Sequence, residues 1–310
     1  MNDFFSTSVL FGILYSGIRL ATPYLYASIG ETFAQRSGVL NLGVEGMMIM
    51  GAYSGFFVAI KTGNLWLGLI TAALVGGLMG LLMAVVSVTF KAEQGISGIG
   101  LALFGLGLSS LLFKKTLGSA LSISGFQPVR IPLLGSIPLL GDVFFNHNLL
   151  VYGAFLLVPV SAWVLNKTTY GLKIRAVGQN PQAADSLGVN VNHIRYSTVI
   201  LGGILAGIGG AALSIALINI FQENMTNGIG YIAVALVYFG GWRPWGVLGG
   251  ALFFSLINAL QLWIQVKDIP LESDLAVMMP YIFTIIALAL STRRNEQPTS
   301  LTKPFERGES

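Results

Sequence analysis

The stretch LWLGLITAALVGGLMGLLMAVVSVTF, Leu65–Phe90, contains no charged residue, and its reading decides the class of fold. A helix needs roughly 20 apolar residues to cross about 30 Å of hydrocarbon, and this run exceeds that. The same ruler, worked outward in both directions, predicts spans at Phe5–Ile29, Val39–Ile60, Ile96–Leu117, Leu149–Leu165, Tyr196–Ile218, Tyr231–Gly241, Val247–Val266 and Leu275–Ser291. With Leu65–Phe90 that makes nine, in a range of eight to ten, with Tyr231–Gly241 short enough to be a half-helix or re-entrant segment. The expected fold is an all-α integral membrane protein, residues 1–310 forming one transmembrane domain. No intervening segment is long or polar enough to be a separate soluble domain.

Composition agrees. Of 310 residues, 54% are apolar and 10% charged, with mean hydropathy +0.75. Soluble domains carry about 25% charged residues. That excludes a secreted enzyme, a nucleic-acid-binding domain and a disordered regulator. The absence of cysteine rules out disulfides, thiolate catalysis and cysteine metal sites. The start, Met-Asn-Asp-Phe-Phe, lacks a basic segment and is not read as a cleaved signal peptide.

Lysine and arginine set the expected orientation. With the loop 166–195 inside, that side holds Arg36, Lys91, Lys167, Lys173, Arg175, Arg195, Arg243, Arg293, Arg294, Lys303 and Arg307. The other set is Arg19, Lys61, Lys114, Lys115, Arg130 and Lys267, with Arg19 inside a span. Nine spans then put the N-terminus outside and the tail 292–310 inside. His147 and His193 fall on opposite sides and cannot form one site.

Thirty-nine glycines sit largely within the apolar runs. Gly76 with Gly80, Gly203 with Gly207, and Gly98, Gly100, Gly105 and Gly107 recur at helical spacing, as in packed membrane helices. Gly207-Ile-Gly-Gly-Ala-Ala212 fits a dinucleotide fingerprint formally, but no strand precedes it and helix packing is the expected role. GISGIGLALFG (Gly95–Gly105) faintly echoes GIGYIAVALVYFG (Gly228–Gly240), and the two run in opposite directions, as an inverted repeat would.

No phosphate-binding loop occurs, so energy from ATP would need a nucleotide held by another polypeptide. Charges inside spans are costly and call for partners. Arg19 is expected to pair with Glu45 or Glu31, as a structural staple or as part of a polar path. Asn41, Asn258 and Gln261 either line that path or make interhelical hydrogen bonds. In the loop, Asn180 suits a helix cap, Pro181 the first turn and Gly188 the left-handed stop. The rod between is about 10 Å long, with Ala183, Ala184 and Leu187 as its apolar face. It is either a docking element for a cytoplasmic partner or an ordinary loop helix. An ion-coupled secondary transporter relying on Glu45, a membrane enzyme and a passive channel are the competing readings.

Three stretches carry a resemblance. YGLKIRAVGQNPQAADSLGV (Tyr170–Val189) resembles the coupling loop of permease subunits of ABC importers of the branched-chain amino acid, simple-sugar and nucleoside group. GETFAQRSGVLNLGVEGMMIMGA (Gly30–Ala52) resembles that group's second-helix signature, and YIAVALVYFGGWRPWG (Tyr231–Gly246) its late glycine-rich segment. The likeness runs from about Arg19 to Leu290. Ile18-Arg-Leu-Ala-Thr-Pro23 and the Gly-Glu-Thr start point to the nucleoside-type branch, as the shorter of two paired permeases.

The resemblance implies a permease of type II ABC importer kind in the bacterial plasma membrane, with no chemistry of its own. It implies as partners a second permease, two ABC ATPase subunits carrying ATP and magnesium, and an external substrate-binding lipoprotein, with no nucleic acid. Gly171, Arg175, Gly178, Asn180, Ala183, Ala184, Leu187 and Gly188 would form the coupling element. Asn41, Gly43, Glu45 and Gly46 match the second-helix motif. The loop Gly118–Asn148 and the turn Phe221–Ile229, with Phe221-Gln-Glu-Asn224, would face the binding protein. The cargo would be a polar solute, nucleosides first and sugars or branched-chain amino acids as alternatives.

Overall fold

A computed structural model describes residues 7–119, 121–132, 135, 137, 140–266, 278, 282, 285, 286 and 297–307. The helices are α1 Thr7–Arg36, α2 Val44–Thr62, α3 Leu65–Ala84, α4 Gln94–Thr116, α5 Leu140–Phe144, α6 Leu149–Lys167, α7 Thr169–Gln179, α8 Pro181–Ser186, α9 Val191–Ala212, α10 Ile229–Phe239 and α11 Pro244–Val266. Strands β1 Val129–Arg130 and β2 Asn146–His147 pair antiparallel, Val129 opposite His147. Among the described residues, six helices are long and apolar enough to cross a bilayer: α2, α3 with its extension, α4, α6, α9 with its extension, and α11. The nine expected spans are therefore not all recovered.

Each shortfall has its own cause. The 30-residue α1 is about 45 Å long but carries Arg19, Glu31, Gln35 and Arg36, so it fails on apolarity rather than length. It runs on to Arg36, seven residues past the expected Ile29, and α2 starts at Val44 rather than Val39. Only 11 residues long, α10 reaches about 16 Å, half a bilayer. The ninth span falls outside the described residues except for Met278, Ile282, Ile285 and Ile286, each helical and exposed.

Both long extensions are π-helical, Val85–Thr89 after α3 and Leu213–Leu217 after α9. The wider turn shifts the ladder, and Ile215 is left able to accept from Phe126 N at 3.1 Å, which ties the segment 117–148 to the extension of α9.

Glycine packing holds the centre together. A Cβ on Gly76 would lie 2.2 Å from Gly203 O, and one on Gly203 would lie 2.3 Å from Gly76 O. Gly207 presses on Ala72 and Gly76, Gly209 on Pro23 and Tyr26, and Gly210 on Met48, so one segment of α9 packs against α3, α1 and α2 together. The spacing read from the sequence thus marks real contacts, and Gly207–Ala212 is helix packing as expected. The third glycine run splits: Gly98 and Gly105 meet Leu42 and Gly46, whereas Gly100 and Gly107 face open space. Between helices already in lipid no apolar area is gained, so close backbone approach supplies the attraction. Leu74, Leu78, Leu103 and Leu156 point outward, each more than 60% exposed, as a lipid-facing surface requires.

The two ends of the bundle differ in charge. One end gathers the α1 terminus, α7, α8, the α10–α11 turn and residues 297–307, joined by Arg36 Nε to Trp242 O at 2.8 Å and Ser300 N to Gly178 O at 3.0 Å. Among the described residues nine lysines and arginines lie at this end and four at the other, with Arg19 part-way along α1. This is the asymmetry on which an inside assignment rests. Here Glu93 caps α4, and the Ile96 and Gly95 N–H groups hold its carboxyl below the usual range. The far end carries the loop 117–148 and its small hairpin.

Candidate functional site: a capped corner, a pinned half-helix and a mid-depth cavity

The basic end is built around α7 and α8. Thr168 caps α7 by accepting from Gly171 N at 3.1 Å, and Asn180 caps α8 by accepting from Ala183 N at 3.0 Å. Pro181 occupies the first turn and Gly188 ends the helix at φ +83°, as the sequence indicated. What the sequence did not reveal is that α7 is a helix of its own. Gly171 and Gly178 fasten it: a Cβ on the first would lie 2.1 Å from Val164 O, and on the second 2.0 Å from Arg36 O. Arg175 is half-buried beside them, its Nε without a hydrogen-bond partner among the described residues.

The expected apolar face of α8 is not one face. Ala184 is 3% exposed and belongs to the main core with Ile174, Val177 and Ile194. Ala183 is exposed, and Leu187 is 84% exposed. A six-residue helix lying on α7 and α9 must bury one side, and Ala184 is on that side. The outward apolar groups of the corner are Leu187, Ala183 and, on α7, Leu172 at 59%.

Residues 297–307 brace this corner, a role no sequence signal announced. Ser300 Oγ donates to Gly178 O at 2.8 Å, Thr299 Oγ1 to Gln179 Oε1 at 2.7 Å, and Arg307 pairs with Asp185 of α8 at 2.9 Å. Buried Arg195 donates to Ser37 O and Lys303 O, joining α9 to both the α1 turn and this segment.

Among the described residues Glu31 and Glu45 head two separate hydrogen-bond networks, and neither contains Arg19. Glu31 Oε1 accepts from Gln35 Nε2 at 2.9 Å and Asn41 N at 3.0 Å, and Gln35 Oε1 accepts from Trp242 Nε1 at 2.8 Å. Asn41 is fully buried, and its Oδ1 accepts from Gly43 N at 2.9 Å, which closes the turn that lets the chain re-enter before α2 begins. Its Nδ2 donates to Met47 Sδ at 3.5 Å, so both ends of the amide are engaged.

Glu45, in the first turn of α2, holds α10. Its Oε1 accepts from Thr226 Oγ1 at 2.6 Å and Gly228 N at 2.9 Å, and its Oε2 accepts from Gly230 N at 2.6 Å. The carboxylate thereby satisfies the orphan donors at the start of a half-helix and sits at the positive end of its dipole. Gly230 is needed for this approach, since a Cβ there would lie 2.5 Å from Glu45 Cα. The expected pairing of Arg19 with Glu45 or Glu31 is not formed. Arg19 sits over the Tyr15 ring at 5.7 Å and reaches Leu217 O at 3.5 Å, near the far end. Twelve residues of α1, about 18 Å, separate it from Glu31.

Asn258 lies on α11 beside a cavity of about 290 Å³ between α1, α9, α10 and α11. Gln261, one turn on, lines it too, as do Thr226 and Asn227 from the segment that Glu45 anchors. At the far end the turn Phe221–Ile229 is exposed in part. Phe221 is fully buried against Tyr53, Phe56 and Phe113, and Glu223 is bound to Ser110 and Lys114. Gln222, Glu223 and Asn224 are exposed.

The family described as the branched-chain amino acid transport system permease component matches residues 13–288. This chain belongs to that permease family. It is similar, at 38% identity over 96% of this chain and 98% of the relative, to the putative glucose ABC transporter permease protein TsgC13 of Haloferax volcanii. It is 35% identical to the guanosine ABC transporter permease protein NupQ of Bacillus subtilis, over 93% of this chain and 94% of that one. A nucleoside ABC transporter permease protein of Lactococcus lactis, NupC, is 36% identical over 87% and 89%. The permease is thus a multi-pass membrane protein of an ABC transport system, and the resemblance seen in its motifs holds along nearly the whole chain.

Proposed function

We propose that the permease forms half of the translocation path of an ATP-driven importer for nucleosides. A second permease completes the path, two ABC ATPase subunits hold ATP and magnesium, and a binding lipoprotein delivers the solute from outside. The basic end faces the cytoplasm of a bacterial cell and the N-terminus lies outside. The observation that carries this reading is the α7–α8 corner. It is capped at both helix starts, fastened by Gly171, Gly178 and Ser300, and still presents Leu187 and Leu172 to solvent. Exposed apolar groups on a rigid corner suit a docking contact through which force reaches α1 and α9. A nucleotide-driven partner shifts the permease between states by binding the corner differently in each.

Nucleosides are favoured by the names of two of the three relatives and by the motifs at Ile18–Pro23 and Gly30–Thr32. A sugar is the second reading, supported by the relative named as a putative glucose permease. An ion-coupled carrier is disfavoured because both oxygens of Glu45, its required coupling carboxylate, are occupied by α10. The test is uptake into proteoliposomes holding the full complex. Labelled guanosine and uridine should enter with internal ATP, while glucose and leucine should not. Equal entry without the ATPase subunits would overturn the reading.

A further inference from the structure

The cavity beside Asn258 reaches from mid-depth toward the far end, where Ile218 lines it. Asn258 is fourteen residues along α11 from Pro244, about 21 Å, and Tyr24 is twelve residues before the end of α1, about 18 Å. Its floor is the start of the half-helix α10, which begins within the membrane because the chain enters non-helically from the far end. Discontinuous helices ending at the midplane are where transport proteins place polar ligands.

The lining has a definite chemistry. Asn258 and Gln261 stand one turn apart on α11, and neither side chain has a hydrogen-bond partner among the described residues. Two unpaired amides inside a bilayer are costly unless a polar ligand or water meets them. Across from them lie Thr226 and Asn227. One wall is the edge-to-face pair of Tyr24 and Phe254, with ring centroids 5.3 Å apart, and the rest is aliphatic. Among the described residues no ionised side chain lines the space; Glu45 is occupied by Thr226, Gly228 and Gly230.

We propose that this cavity is the station where the permease holds the base of a nucleoside in transit, with Asn258 and Gln261 reading its polar edge against the Tyr24–Phe254 wall. The proposal rests on the import reading above and adds the place and the chemistry of contact. A carboxamide both donates and accepts, so it pairs with the mixed donor and acceptor edges of purines and pyrimidines alike. A flat, uncharged ring suits aromatic and aliphatic walls, whereas a monosaccharide, polar around its whole rim, would leave hydroxyls unpaired there. At about 290 Å³ the space is at the lower end for ligand sites and admits one such group.

The chain has no cysteine, so Asn258→Cys and Gln261→Cys each give a single reporter. In the complete transporter in proteoliposomes, a water-soluble methanethiosulfonate should label both, and saturating guanosine or uridine should slow labelling about tenfold while glucose does not. Asn258→Ala with Gln261→Ala should raise the nucleoside KM about tenfold, one lost buried bond's worth or more, with ATPase activity retained. Unslowed labelling in vesicles that still import nucleosides would overturn the station and leave the import reading standing. Protection by glucose, in vesicles that import glucose and no nucleoside, would overturn both the assigned base and the nucleoside reading.

Discussion

Glu45→Gln is the sharpest perturbation of the interior. The carboxylate receives three donors: Thr226 and Gly228 on one oxygen and Gly230 on the other. Glutamine keeps one oxygen, and its best placement retains the first two donors and turns its NH₂ toward Gly230 N–H. A bond to a charged acceptor contributes about 1.5–3 kcal/mol, and an N–H left facing another donor stays unsatisfied. A destabilisation of about 1.5–3 kcal/mol follows. At about 2–4 °C per kcal/mol, the apparent melting temperature in lipid nanodiscs should fall by about 3–12 °C. Because Thr226 and Asn227 belong to the segment released, nucleoside uptake should fall as well, while co-purification with the ATPase, which rests on the other end, should persist. A Glu45→Gln permease that melts within about 1 °C of the wild type and imports normally would refute the idea that this carboxylate holds α10.

Two further outcomes test the packing and the corner. At Gly210 a Cβ would lie 1.8 Å from Met48 O, so Gly210→Ala must separate α9 from α2 and should cost about 1–3 kcal/mol, whereas Gly107→Ala, entering open space, should stay within about 0.5 kcal/mol by the same melting assay. Ala184→Arg forces a charge into the core and should lower membrane-inserted yield, while Leu187→Glu should leave yield and melting unchanged and abolish co-purification of the ATPase subunits; the reverse pattern would show that the outward side of α8 has been misassigned.

What could be read in advance was whatever is encoded locally. Asn180, Pro181 and Gly188 specify the limits of α8 by the bonds and dihedrals their own chemistry allows, and the structure keeps those limits. Gly76 and Gly203 could be marked as packing residues because small residues at helical spacing leave one flat face. Which side of α8 turns inward was not legible, because α7 and α9 decide it and their arrangement is tertiary. The partner of Glu45 escaped for a similar reason. Charge suggested Arg19, but α1 carries Arg19 toward the far end, and the groups that meet Glu45 are the Thr226 hydroxyl and two backbone N–H donors about 180 residues away in sequence. Backbone donors leave no mark in composition. Residues 297–307 likewise hold the corner mostly through short polar side chains and main-chain atoms that look like an ordinary tail.

The central claim is that the exposed corner at Leu187 faces the cytoplasm and receives an ATPase. A single cysteine at Leu187, in a chain with none of its own, tests both halves through its reaction with a membrane-impermeant maleimide. The account predicts no labelling in intact cells, rapid labelling once the membrane is permeabilised, and protection when the ATPase subunits are bound. Labelling from outside intact cells, or a rate in permeabilised membranes indifferent to the ATPase, would contradict it.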